Sequence, residues 1–146
     1  MKATLVNQDH PQTYVLVFET GDEVLGELRK FAVDKGLSGS SFTAIGALSD
    51  AKVAWLNWET KEYETAASFD EQVEVLSMLG DIACYEGKPA VHAHIVLGRR
   101  DGTAHGGHLM SARVRPTLEL VLTEWPRHLK KRFYPAAEIA LIAPRA

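Results

Sequence analysis

Four of the six histidines fall within residues 90–110, whose sequence is AVHAHIVLGRRDGTAHGGHLM. His92 and His94 lie two positions apart, and successive side chains of a strand point to opposite faces. The two imidazoles are therefore neighbours on one face if this segment is a strand. Neutral imidazole is the commonest metal ligand among protein side chains. The pair can supply two of the ligands that a divalent transition metal needs.

The source of a third ligand depends on the turn that follows. A two-residue turn at residues 101–102 would place His105 on the face of the histidine pair. A three-residue loop over residues 100–102, with its glycine in the left-handed conformation, would instead place His108 directly opposite His94. We favour the second arrangement, which brings three imidazoles within reach of one ion.

The favoured register predicts a metal site formed by His92, His94 and His108. Zinc is the ion that we expect, and nickel or iron also suits imidazole ligands. The plain alternative is that these are solvent-facing or hydrogen-bonded strand histidines. Three protein ligands would also leave a coordination position open for water or a small substrate, as in catalytic metal sites.

Hydrophobic periodicity predicts mainly strands and one clear helix. Residues 22–35 have apolar side chains at helical spacing, acidic residues at the start and a Lys-Gly pair at the end. This helix should cover one face of a sheet. Period-two and apolar runs predict further strands. These strands cover residues 12–18, 41–48, 52–58, 62–66, 72–79, 81–85 and 118–122, together with the histidine hairpin.

Length and composition limit the class of protein. The chain has 146 residues, a formal net charge of −3 and one cysteine, Cys84. This length suits one globular domain over residues 1–146, with a core of about 12–125 and a C-terminal extension at 126–146. The mildly acidic charge gives no global attraction to nucleic acid. Without a signal segment or a membrane-length apolar run, we expect a cytoplasmic protein with no membrane partner.

Other charged residues have both plain and functional interpretations. The basic run at residues 127–132 could attract phosphate, although a solvated rim is the commoner meaning of such a run. Glu119 and Glu124 could each orient an imidazole or act as a base, or be ordinary surface charges. No G-x-S-x-G nucleophile motif occurs, so covalent catalysis has no support in the sequence.

The order of several motifs resembles that of the PPC domain, the domain conserved in plants and prokaryotes. The matching segments are G-D-E-V-L-G-E-L, S-F-T-A-I-G-A-L, E-V-L-S-M-L-G-D-I-A and H-A-H-I-V-L, followed by D-G and G-G-H-L. The resemblance runs from Tyr14 to Glu124, and its most specific part is the H-x-H followed by G-G-H. It implies an α+β fold, a mixed and mostly antiparallel sheet with one principal helix packed on it, and assembly as a homotrimer.

The same resemblance implies a role near DNA. In plants this domain follows AT-hook motifs, whereas stand-alone prokaryotic members are described only as candidate DNA-binding proteins. No Arg-Gly-Arg-Pro hook is present here, so the plant mode of DNA binding does not transfer. We therefore expect a non-enzymatic, DNA-associated regulatory module that acts through a homotrimer and protein partners and carries the three-histidine metal site. A metal-dependent enzyme is the second hypothesis, and direct DNA binding through residues 127–132 is the third.

Overall fold

The structure, a computed structural model, describes residues 1–7, 11–125 and 129–143. Apart from one helix, the named elements are strands. In chain order they are β1 (Lys2–Asn7), β2 (Gln12–Glu19), α1 (Val24–Lys35), β3 (Gly39–Leu56), β4 (Tyr63–Phe69), β5 (Val73–Tyr85), β6 (Lys88–Gly98), β7 (Ala104–Glu124), β8 (Lys131–Tyr134) and β9 (Ile139–Ile142). The predicted α+β fold with one principal helix is confirmed.

Seven strands form one sheet in the order β1-β2-β7-β6-β5-β3-β4. All of its ladders are antiparallel, and a parallel bridge occurs separately between Cys84 and Lys130. The long strand β3 pairs with β7 as well as with β5, so β3, β5, β6 and β7 form a closed cycle of paired strands. This closure fixes β6 between β5 and the first half of β7, which is where the histidines lie.

Helix α1 forms where the sequence predicts it, although it begins at Val24 rather than at residue 22. The Glu23 side chain caps its N-terminus by accepting a hydrogen bond from the Gly26 amide, and Gly36 ends it in the left-handed conformation with a φ of 64°. Its apolar stripe packs into the core, as the helical spacing predicts. The buried helix residues are Val24, Leu25, Leu28, Phe31 and Ala32.

Two long strands each replace a predicted pair of shorter ones. Residues 41–48 and 52–58 belong largely to β3, and residues 72–79 and 81–85 to β5. The predicted break at Gly80 is wrong because this glycine marks a close approach within a strand rather than a turn. A Cβ atom there would lie 2.1 Å from Cζ of Phe42 and 2.5 Å from the carbonyl oxygen of His92.

Strands β1, β8 and β9 were not predicted. The β8–β9 hairpin lies in the segment that the sequence assigns to a C-terminal extension, and it is tied to the end of β5. The Cys84 amide donates a hydrogen bond of 2.8 Å to the carbonyl of Leu129. Within the residues that the structure describes, no helix is long and apolar enough to cross a membrane.

Candidate metal centre

The loop between β6 and β7 has the predicted three-residue form. The Arg99 amide donates to the Thr103 carbonyl at 2.9 Å, which leaves residues 100–102 between the closing pair. Gly102 takes the left-handed conformation with a φ of 82°. His94 consequently pairs with His108 across the hairpin. The same register would place Met110 opposite His92, but the ladder between the two strands ends at the His94–His108 pair, so that pairing does not form.

The register brings His92, His94 and His108 together on one face of the sheet. One ligand nitrogen from each ring lies within 4.8 Å of the other two, and the ring centroids are 5.0–5.4 Å apart. His105 points to the other face, where its ring packs edge-on against Phe69 at 5.4 Å. The alternative in which His105 replaces His108 is therefore wrong. On the core side of β6, Ala93, Ile95 and Leu97 are buried.

A carboxylate from the neighbouring strand orients one of the three rings. Asp81 on β5 pairs with His92 in the ladder, and its Oδ2 accepts a hydrogen bond of 3.3 Å from Nδ1 of His92. An ionised carboxylate can only accept, so the proton lies on Nδ1 and Nε2 remains free to bind a cation. Carboxylate-histidine pairs of this kind support many protein metal sites. Nothing in the sequence pattern pointed to Asp81.

The second oxygen of Asp81 meets a cation from the C-terminal hairpin. Oδ1 lies 2.8 Å from Nζ of Lys131, whose side chain is only 6% exposed. Burial alone would raise the pKa of Asp81, but hydrogen bonds from His92 and Lys131 outweigh it and lower the pKa. Asp81 therefore stays ionised and accepts the hydrogen bond from the His92 imidazole.

The protonation states suit metal ligation. Burial, together with His92, His94 and Lys131, lowers the pKa of His108 to about 4. Burial and the neighbouring His92 also lower the pKa of His94. Both rings are thus neutral near pH 7, which is the form that binds metal.

One buried nitrogen of the three imidazole rings lacks a hydrogen-bond partner in the part of the chain that the structure describes. Nδ1 of His108 has no hydrogen-bond partner among the described residues, although leaving a buried polar atom unpaired is costly. Its ring is held by Tyr63 of β4, which stacks on it with centroids 4.5 Å apart. An unpaired nitrogen beside two more imidazoles fits a site completed by a cation. The residues present therefore fit a divalent transition metal.

The two carboxylates that are candidates from the sequence, Glu119 and Glu124, lie elsewhere. Glu124 accepts hydrogen bonds from the amides of Ser38 and Gly39 and from the hydroxyl of Ser40, so it fastens the start of β3. Glu119 is exposed and pairs with Ile45 of β3 in the ladder. Among the described residues, neither carboxylate forms a hydrogen bond or an ion pair with an imidazole.

Only part of the basic run at residues 127–132 lies within the described residues. Residues 127 and 128 lie outside the described residues. Lys130 and Arg132 are exposed, whereas Lys131 is buried against Asp81 and cannot meet a phosphate at the same time. The exposed basic charge near this hairpin is therefore smaller than the sequence suggests.

Together, the fold and the site define a small α+β domain with a three-histidine cluster on one face of its sheet. The sequence profile of the Plants and Prokaryotes Conserved (PCC) domain matches residues 7–126. The chain belongs to this family, as the resemblance predicts. The β8–β9 hairpin, which supplies Lys131, lies beyond the matched residues.

Solved structures with the same fold align with almost the whole chain. A candidate DNA-binding protein from Bacteroides thetaiotaomicron is 25% identical, with a TM-score of 0.88 and coverage of 97% of this chain and 96% of its own. A PPC protein from Pyrococcus horikoshii is 26% identical, with a TM-score of 0.84 and coverage of 99% and 96%. A metal-containing protein from Archaeoglobus fulgidus is 26% identical, with a TM-score of 0.82 and coverage of 98% and 97%. Comparison with curated proteins finds no match.

Proposed function

We propose that this protein is a metal-binding PCC-domain module that assembles as a homotrimer and acts in DNA-associated regulation through protein partners. The single observation that carries the metal assignment is the convergence of His92, His94 and His108, whose ligand nitrogens lie within 4.8 Å of one another. The similar structure from Archaeoglobus fulgidus, described as metal-containing, supports it. We also place the module in the cytoplasm, because its one cysteine leaves no internal disulfide to need an oxidising compartment.

Zinc is the ion that we propose, with nickel or iron as the other ions suited to imidazole. Zinc holds imidazole nitrogens at about 2.0–2.1 Å. The widest nitrogen separation therefore has to shorten when an ion binds. Asp81 keeps His92 in the required tautomer, and the ring of Tyr63 limits rotation of His108.

Elemental analysis of protein purified without an affinity tag tests this proposal. The expected result is about one transition-metal ion per chain, with X-ray absorption giving three nitrogen ligands from imidazole. Protein that contains no metal, and takes up none stoichiometrically when zinc is added, would contradict it.

Exposed apolar side chains support the homotrimer. One sheet face carries large apolar residues that an isolated chain would leave in water. These residues are Ile45, Leu76, Leu79, Val96 and Val121, with exposures of 41–62%. Leu79 pairs with His94 in the ladder, so this apolar face adjoins the histidine cluster. Burial of such a face between identical subunits is the usual basis of a stable oligomer.

Light scattering on the full chain measures the oligomeric state. We expect a trimer for the native protein and smaller species for Ile45→Glu, because a charge would then be buried in the interface. Val33→Glu is the matched control, since Val33 is equally exposed but lies on helix α1. A monomeric native protein would contradict the assembly, and a trimer unaffected by Ile45→Glu would contradict the use of this face as its interface.

The DNA association is supported by the similar structure from Bacteroides thetaiotaomicron, which is described as a candidate DNA-binding protein. The net charge of −3 and the buried Lys131 argue that partners, rather than this chain alone, contact the DNA. In a mobility-shift experiment, we expect no retardation of duplex DNA by the purified protein. A shift that weakens steeply with salt would favour direct binding instead.

A metal-dependent enzyme is the second candidate, and one observation favours it. A cavity of about 290 Å³ opens beside His92 and His108. Three protein ligands with an accessible fourth position are typical of catalytic zinc, whereas structural sites are closed by four. The coordination count from X-ray absorption separates the two functions: four protein ligands argue for a structural site, and a water in the fourth position argues for catalysis.

A further inference from the structure

The cavity beside the histidine cluster is bounded by three parts of the chain. Its lining includes Tyr63 of β4, His92 of β6 and His108 of β7. Lys131 of β8 and Leu141 of β9 also line it. At about 290 Å³, it is close to the lower end of the volumes of small-molecule sites, which begin at about 300 Å³.

Part of the cavity wall comes from the β8–β9 hairpin, outside the residues that the family profile matches. Three contacts hold this hairpin in place. Cys84 donates to the carbonyl of Leu129 at 2.8 Å, and Leu129 donates to that of Ser38 at 2.9 Å. The third contact is the ion pair between Lys131 and Asp81 at 2.8 Å. The hairpin is thus fastened to β5, the same strand that orients His92.

The charges in the cavity are unevenly distributed. Lys131 and Asp81 neutralise each other, and the three imidazoles carry no charge as metal ligands. Two positive charges on a divalent ion would therefore remain uncompensated at one end of the cavity. An anionic group is the complementary ligand for that end.

The remaining walls are mainly apolar. The aliphatic lining residues are Ala90, Val91, Ile139, Ala140 and Leu141. Among the described lining residues, Lys131 is the only lysine or arginine, and it is already paired. A phosphate carries more charge and more acceptor oxygens than these groups can satisfy, whereas a carboxylate presents two oxygens and one charge.

We propose that this cavity binds a compact organic carboxylate, with its charged head at the three-histidine centre and its apolar body between Tyr63 and the β8–β9 hairpin. The inference rests on the proposed metal site and adds the class of ligand to it. In this arrangement the C-terminal hairpin determines specificity, because it supplies the apolar wall.

The test uses the full chain loaded with Co²⁺, whose visible absorption reports changes in coordination. Acetate, hexanoate and inorganic phosphate are titrated separately, and binding is also measured by calorimetry. We expect hexanoate to bind at least about tenfold more tightly than acetate, since each methylene that is fully buried contributes about fourfold. We expect phosphate to bind more weakly than hexanoate.

Two variants locate the apolar wall. Leu141→Ala should weaken hexanoate binding by about threefold to tenfold and leave acetate binding unchanged, because only the longer ligand reaches this side chain. Unchanged acetate binding also reports that the variant remains folded around the metal. Val33→Ala, an exposed position on helix α1, should change neither affinity.

The possible failures are distinguishable. Stoichiometric Co²⁺ uptake without preference for hexanoate over acetate, or with tighter binding of phosphate, would overturn the carboxylate site and leave the proposed metal function intact. A hexanoate preference that Leu141→Ala does not reduce would overturn the role of the hairpin. Absence of Co²⁺ uptake would remove the metal function and this inference together.

Discussion

Two hairpins meet at the candidate metal centre, and they differ in how their contributions arise. The β6–β7 hairpin provides all three imidazoles through its own register, with His94 paired directly to His108. The β8–β9 hairpin provides no ligand, but its Lys131 reaches the cluster through Asp81 of β5. The ligand set is therefore determined locally, by the register of one hairpin. The residues that orient the ligands depend instead on the packing of strands that are distant in the sequence.

Removal of a ligand should have the largest effect. We expect His108→Ala to weaken zinc binding by more than about 100-fold, because loss of a ligand exceeds the range of about 10–100-fold that is typical for supporting residues. Competition with a chromogenic zinc chelator measures the affinity. His105→Ala is the matched control on the opposite face of the same strand and should leave the affinity unchanged. Equal effects of the two substitutions would contradict the register.

Loss of the supporting carboxylate should have the next largest effect. Asp81→Asn keeps the shape of the side chain but removes the charge that fixes the tautomer of His92. We expect zinc affinity to fall about 10–100-fold, as for other supporting residues of metal sites. The same chelator competition applies, with thermal unfolding as a separate check that the fold persists. An affinity equal to that of the native protein would show that Asp81 has only a structural role.

Loss of the lysine should have a smaller effect, because Asp81 would still accept the hydrogen bond from His92. We expect Lys131→Met to lower zinc affinity by less than about tenfold, below the usual range for direct supporting residues. Methionine retains most of the length of the buried side chain, so the hairpin should stay packed. A larger loss than that caused by Asp81→Asn would reverse the proposed order of support.

Loss of the stacked tyrosine should have an effect no larger than loss of the lysine. Tyr63 packs on His108 with centroids 4.5 Å apart but offers no charge to it. Aromatic pairs contribute about 0.5–1.5 kcal/mol beyond their buried area. We expect Tyr63→Leu to weaken zinc binding by about twofold to tenfold, and Tyr63→Phe to restore native affinity because the ring alone is needed. Failure of the phenylalanine variant to restore it would implicate the hydroxyl group.

The three-histidine cluster was predictable from the sequence because its determinants are close together. Alternation places His92 and His94 on one face, and the conformation of Gly102 fixes the position of the third ring. Helix α1 was predictable for a similar reason, since its apolar spacing and its terminal Gly36 act over a few residues. In each case, the relevant contacts lie within one element or one turn.

The surroundings of the cluster were not predictable, because they depend on which strands are neighbours. Asp81 lies beside His92 only because β5 pairs with β6, and Tyr63 reaches His108 from β4. Gly80 was assigned to a break, but the side chain of Phe42 fills the space beside it in a continuous strand. In the sequence, Lys131 is one charge of a basic run. Its ion pair with Asp81 depends on the packing of the β8–β9 hairpin against β5.

Diffraction from crystals of untagged protein, with anomalous data collected at the absorption edge of zinc, tests the central claim most directly. The account predicts one anomalous peak per chain, about 2.0–2.1 Å from a ring nitrogen of each of His92, His94 and His108. It would be contradicted by crystals of zinc-supplemented protein that lack this peak, or by a His108 ring turned away from the other two.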